Sequence, residues 1–166
     1  EAIDKCDQNN PDVMYVKALL FKNDIHGSIS FLNKCLRIHP NDATLYNHLG
    51  YMYGFTKDYV KSIKAFDRSL ELDSSNPRWF YSKATSMRLI IEKNSSKDEK
   101  EINETIEWYQ KYLDSNSPDD RKVAEAYYSM AYLNMLKKNN ESVKELWFKA
   151  IEAEKLSSLA EAQTRM

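Results

Sequence analysis

Apolar residues recur along the chain at three- and four-residue steps, separated by short polar breaks, and one such segment returns. Ser28-Ile29-Ser30-Phe31-Leu32-Asn33-Lys34-Cys35-Leu36-Arg37-Ile38 reappears 34 residues later as Ser62-Ile63-Lys64-Ala65-Phe66-Asp67-Arg68-Ser69-Leu70-Glu71-Leu72. The positions that match are the small and apolar ones: Ser28/Ser62, Ile29/Ile63, Leu32/Phe66, Cys35/Ser69, Leu36/Leu70 and Ile38/Leu72. Steps of three and four predict amphipathic helices. A period of this length holds one helical hairpin, which buries its apolar face only by stacking on further copies.

The breaks repeat too. Asn10-Pro11 and Asn76-Pro77 place a capping residue before a proline at the first helical position, where the missing N–H costs nothing. Ser117-Pro118 has the same form, and Asn41-Asp42 caps without proline. These signals predict four hairpins in one domain spanning 1–166, at about 11–42, 43–76, 77–114 and 118–155. Residues 1–8 read as the end of a preceding helix, as in a piece of a longer protein. Leu156, Leu159, Ala160 and Ala162 give 157–166 the spacing of a capping helix.

Composition narrows the function classes. Three glycines and four prolines in 166 residues suit an all-α chain. Apolar runs such as Ala18-Leu19-Leu20-Phe21 fall far short of a membrane span. The formal charge of −1 gives no global basic field for nucleic acid. Two cysteines, Cys6 and Cys35, make no disulfide framework, and no signal peptide is visible, so a cytoplasmic or nuclear location is the default expectation.

In the second hairpin Tyr46, Leu49, Gly50, Tyr53, Ser62, Phe66, Ser69 and Leu70 follow an order of large, large, small, aromatic, small, aromatic, small and large. This order resembles the tetratricopeptide repeat family. Ala84 and Ala131 repeat the small role of Gly50, and Tyr127 repeats Tyr46. Val143, Trp147 and Ala150 take the places of Ser62, Phe66 and Ser69. The first hairpin is clipped, a polar insert over Glu92–Asn103 stretches the third, and Pro118 starts the fourth early. The resemblance implies a right-handed superhelical stack of antiparallel helix hairpins, an α-solenoid.

It further implies that the first helix of each hairpin lines a concave groove. Carried over by position, the groove set is Asp12, Tyr15, Leu19 and Lys22; Thr44, Asn47, Tyr51 and Phe55; Arg78, Tyr81, Thr85 and Arg88; Glu125, Tyr128, Tyr132 and Met135. Partner contact is expected from Tyr15, Leu19, Asn47, Tyr51, Phe55, Arg78, Tyr81, Arg88, Tyr128 and Tyr132, since tyrosine and arginine combine contact area with polar handles. The carboxylate-clamp subfamily that grips chaperone tails is disfavoured, because Tyr15 and Leu19 stand at its Lys and Asn places.

Catalytic constellations are absent: there is no phosphate-binding glycine loop, nucleophile elbow or cofactor motif. Cys35 and His39 share a helix face, but a metal needs more ligands, and Cys35 holds a small packing position. The expected function is a non-enzymatic scaffold without cofactor or metal, binding a peptide or helix of a protein partner in its groove. Two other classes remain open: an RNA-binding helical repeat, against which the charge weighs, and a regulatory or substrate-recruiting arm of a larger enzyme such as a ubiquitin ligase. Self-association through an exposed end hairpin is a further expectation.

Overall fold

The computed structural model describes residues 24–115 and 120–164. Tyr15, Leu19 and the expected helices before residue 24 lie outside the described residues. Those described form seven helices: α1 (Ile25–Ile38), α2 (Ala43–Phe55), α3 (Tyr59–Leu72), α4 (Pro77–Asn94), α5 (Glu99–Leu113), α6 (Asp120–Leu136) and α7 (Asn140–Thr164). The segment 157–166, read from sequence as a capping helix, continues α7 without a break as far as Thr164.

Short acidic and amide side chains decide where helices start. The first-turn N–H groups have no intrahelical partner, and an Asp or Asn just upstream can accept from them. Asp24 accepts from the Gly27 N–H at 2.8 Å, Asp42 from Leu45 at 2.9 Å, Asp58 from Lys61 at 3.2 Å and Asp98 from Lys100 at 2.8 Å. Asn76 and Asn139 accept likewise from Arg78 and Ser142. The turns inside the hairpins share one ending. At the first, the Asp58 N–H donates to Tyr53 O and the Lys57 N–H to Gly54 O, with Lys57 at φ 60°. Ser96 and Ser95 repeat this on Ile91 and Glu92, as do Asn139 and Lys138 on Asn134 and Met135. Each is a Schellman ending whose left-handed residue is not glycine: Lys57, Ser95 and Lys138.

The described residues gather into two compact units, one ending at Trp79 and the other beginning at Phe80. In the first, Leu32, Cys35 and Leu36 of α1 pack with Leu45 and Leu49 of α2 and Ala65 of α3. The Cys35 thiol is buried, and that burial raises its pKa. Helices α2 and α3 are tied backbone to side chain. The Ser62 hydroxyl donates to Gly50 O, and the Ser69 hydroxyl to Ala43 O, both at 2.8 Å. The two bonds lie two turns apart on each helix and keep one antiparallel register. A Cβ on Gly50 would stand 2.7–2.9 Å from the Phe66 ring, so only glycine leaves that ring its place.

The second unit builds its core from Ala84 and Ile91 of α4, Ile102, Tyr109 and Tyr112 of α5, Ala126, Met130, Ala131 and Leu133 of α6, and Leu146 of α7. Ala84 and Ala131 are fully buried, as their small size at this register requires. On another side of α5, Trp108 stacks on Phe80 and receives the ammonium groups of Lys83 and Lys111 at 3.7 and 3.9 Å from its ring centroid.

Two outcomes are expected from these features. Left-handed backbone costs a non-glycine residue roughly 1–2 kcal/mol. Lys57→Gly in the first unit and Lys138→Gly in the second should therefore each raise stability by about 1 kcal/mol in urea denaturation, while Lys57→Val lowers it. The second outcome concerns His48, whose pKa is lowered to about 4 by burial, against a smaller upward pull from Asp42. The folded chain thus holds a neutral imidazole that the unfolded chain protonates below about 6.5. Stability is full above that pH and falls as pH drops toward about 4. The loss by pH 5 is on the order of 2 kcal/mol. Denaturation of the wild type and of His48→Gln at pH 7.5 and 5 checks this: the extra acid loss should be confined to the wild type.

Candidate binding faces

On α2, Asn47, Tyr51 and Phe55 follow one another at four-residue steps and so share a face. Their environments differ sharply. Asn47 is 5% exposed, and its Oδ1 accepts no hydrogen bond. Tyr51 is 36% exposed and presents its ring at right angles to Phe66, with centroids 5.4 Å apart. Phe55, one turn on and at the helix end, is 66% exposed. A buried acceptor therefore lies on the same face as two accessible aromatic rings. An unpaired buried acceptor costs about 1–3 kcal/mol in the free chain, and an incoming N–H reaches it only if the Asn47 side chain turns outward. Arg78 is exposed at the first turn of α4, where its backbone N–H is held by Asn76.

In the second unit Tyr81, Thr85 and Arg88 share a face of α4. Tyr81 is half-buried between Tyr109 and Tyr112, with centroids at 5.8 and 5.3 Å. Its hydroxyl donates to the Glu125 carboxylate on α6. Burial first, and Glu125 second, push the phenol pKa up, so the group stays a neutral donor. Lys122 donates to both oxygens of Glu125, at 3.0 and 2.8 Å, and lies over the Tyr81 ring. The Tyr109 hydroxyl donates to Thr85 Oγ1 at 3.2 Å, and Thr85 in turn donates to Tyr81 O.

Arg88 forms an ion pair with Glu92, while its buried Nε–H has no hydrogen-bond partner. Burial alone would lower the guanidinium pKa, but Tyr109 and Glu92 together raise it above its ordinary value. Both cations of this face thus have a carboxylate beside them.

Two sequence-derived members of the set are engaged elsewhere. Tyr128 turns to α7, donating to Glu154 at 3.2 Å and setting its ring edge against Trp147 at 5.8 Å. Tyr132 is half-buried against the core of the second unit. Sequence reasoning did not single out Lys122 or Phe148, and it gave Trp147 the place of Phe66, whereas Trp147 is 49% exposed. The run Leu146-Trp147-Phe148 carried the signal, since three consecutive large apolar residues cannot all face one neighbouring helix. Among the described residues, no group of three or more His, Cys, Asp or Glu is placed to hold a metal ion. No helix among them is long and apolar enough to cross a membrane.

Residues 43–76 match the model of the tetratricopeptide repeat family. No curated protein matches the chain. Among solved structures, the chain is similar to one titled "Crystal structure of MamA", with a TM-score of 0.74 and 18% identity over 92% of this chain and 82% of that one. It is similar also to the MamA RS-1 ArsTM double mutant, with a TM-score of 0.73 and 16% identity over 91% and 79%. A third is MamA 41-end from Desulfovibrio magneticus RS-1, with a TM-score of 0.71 and 18% identity over 89% and 77%. At such identities the likeness concerns the fold. The chain carries a tetratricopeptide repeat at 43–76 within an all-α fold of antiparallel helical hairpins.

Proposed function

We propose that the chain is a non-catalytic scaffold for a protein partner, and that the α2 face of Asn47, Tyr51 and Phe55 takes a peptide or helix of that partner. The observation that carries this reading is the buried, unpartnered Asn47 Oδ1 beside exposed aromatic surface. An extended backbone offers N–H donors at regular intervals, and its side chains can rest on Tyr51 and Phe55. The tetratricopeptide match over this hairpin supports the same face, since the family uses its first helices for recognition. Arg78, exposed in the same unit, supplies a polar contact in this reading.

Peptides selected from a random display library on the immobilised chain, then titrated by fluorescence anisotropy, test it. Phe55→Ala should weaken the selected peptides about tenfold, as for a contact anchor, with little change in melting temperature. Asn47→Leu should have opposite effects on two readouts. It removes an unsatisfied buried acceptor, so stability holds or rises, while affinity falls. Unchanged affinity in both variants would overturn the α2 face. Selected binding that collapses with modest salt would instead mark a charge-driven site.

A further inference from the structure

Helices α6 and α7 leave an apolar groove of about 320 Å³ between them, lined by Met135, Val143, Lys144, Trp147, Phe148 and Ile151. Trp147 stands at the sequence position that Phe66 holds in the second hairpin. Phe66 is 1% exposed and Trp147 is 49%, while Phe148 beside it is 71% exposed. Large aromatic surface left open and contiguous marks an interaction surface more often than a neutral one. What faces it is indicated by the charges on α7.

Glu141, Lys144, Phe148, Glu152 and Lys155 are all exposed and follow one another at steps of three and four, forming a single stripe along α7. Lys144 and Phe148 belong to both stripe and groove. Read outward from Phe148, the stripe has Lys144 four residues before and Glu152 four after, then Glu141 seven before and Lys155 seven after. The order of charge is therefore inverted about Phe148. Two such stripes laid antiparallel set Lys144 against Glu152 and Glu141 against Lys155, each pair twice. Laid parallel in register, they set like against like. On the flank of the stripe, Glu145 and Lys149 are already paired to each other at 2.6 Å, and so do not compete.

We propose that this groove is a self-association site: α7 of a second copy of this chain lies antiparallel across it, with Phe148 on the two-fold axis. Such an interface is isologous, so the same patch serves both copies, and each Phe148 enters the groove of the other beside Trp147 and Ile151. The apolar residues supply the driving force, and the charges fix direction and register. The proposal is independent of the α2 face, which lies in the other unit.

Sedimentation equilibrium of the whole chain tests it. At low salt, from about 5 to 500 µM, a small interface of this kind should show monomer passing to dimer. Lys144→Glu and Glu152→Lys should each weaken the dimer about tenfold or more, because each replaces two attractive pairs by two repulsive ones. The double variant K144E/E152K restores both pairs and should recover wild-type association. Mixing the two single variants should give a mixed dimer that neither forms alone. Phe148→Ser should be monomeric with unchanged helicity, since the side chain is exposed. A wild type that stays monomeric throughout overturns the proposal and leaves the groove to a neighbouring helix or another protein. Dimerisation indifferent to both charge reversals, or unrecovered in the double variant, overturns it as well.

Discussion

The closeness of α2 and α3 is the constraint on which the first unit depends. Helices with ordinary side chains at their contact keep their axes about 8–10 Å apart. Here two serine hydroxyls of α3 bond directly to carbonyls of α2, so small residues must line the seam. Gly50 meets that demand most strictly, because the space beside its Cα is filled by the Phe66 ring. The ring then determines what α2 shows to solvent. With Phe66 wedged below, Tyr51 can only rest edge-on against it and remains partly exposed. Asn47, one turn earlier, sinks into the packed layer with its oxygen unpaired. The candidate binding face follows from this close approach.

The second unit meets the same packing demand with bulk instead of hydroxyl ties. Tyr109 and Tyr112 are both fully buried, opposite an α4 that offers Ala84. Two buried phenols need partners, and Thr85 supplies one for Tyr109. Tyr81 presses on both rings, and its own hydroxyl must reach outward to Glu125. Glu125 then also holds Lys122, so the visible charge on this side is largely closed on itself. Aromatic packing in the interior thereby sets the electrostatics of the surface.

The helical hairpin was legible because its determinants are local. The spacing of Ser28 to Ile38 against Ser62 to Leu72 and the small residues Gly50, Ala84 and Ala131 state the period and the seam. Asn76-Pro77 and Asn41-Asp42 mark starts in the same way. Ser62 and Ser69 were read as merely small; that they also donate to α2 carbonyls depends on a three-dimensional register. The site was less legible, since a groove position says where a side chain sits along a helix and not what its neighbours leave open. Arg88 kept its place on α4 but has Glu92 one turn away. Tyr128 found Glu154 on α7, a partner that no periodicity could supply. Conversely, Asn47 gained interest only once its oxygen was seen to lack a partner, which is a property of the packed state.

The two most exposed phenylalanines among the described residues have different geometric origins. Successive helix residues are rotated by about 100°, so Leu146, Trp147 and Phe148 sweep most of the circumference of α7, of which α6 covers one side. An open ring there is a consequence of the sequence whatever the function. Phe55 stands at the last position of α2, just before the Lys57 turn, where the hairpin has no further turn to cover it. What separates them is the company each keeps. Phe55 shares its face with an unsatisfied buried acceptor, so an occupant of the proposed site would be selected by a donor that Asn47 can turn to meet. Phe148 shares its face with charges that invert about it, so an occupant is selected by the direction in which its own charges run. Apolar surface provides affinity in either case, and the polar groups around it decide what that surface can distinguish.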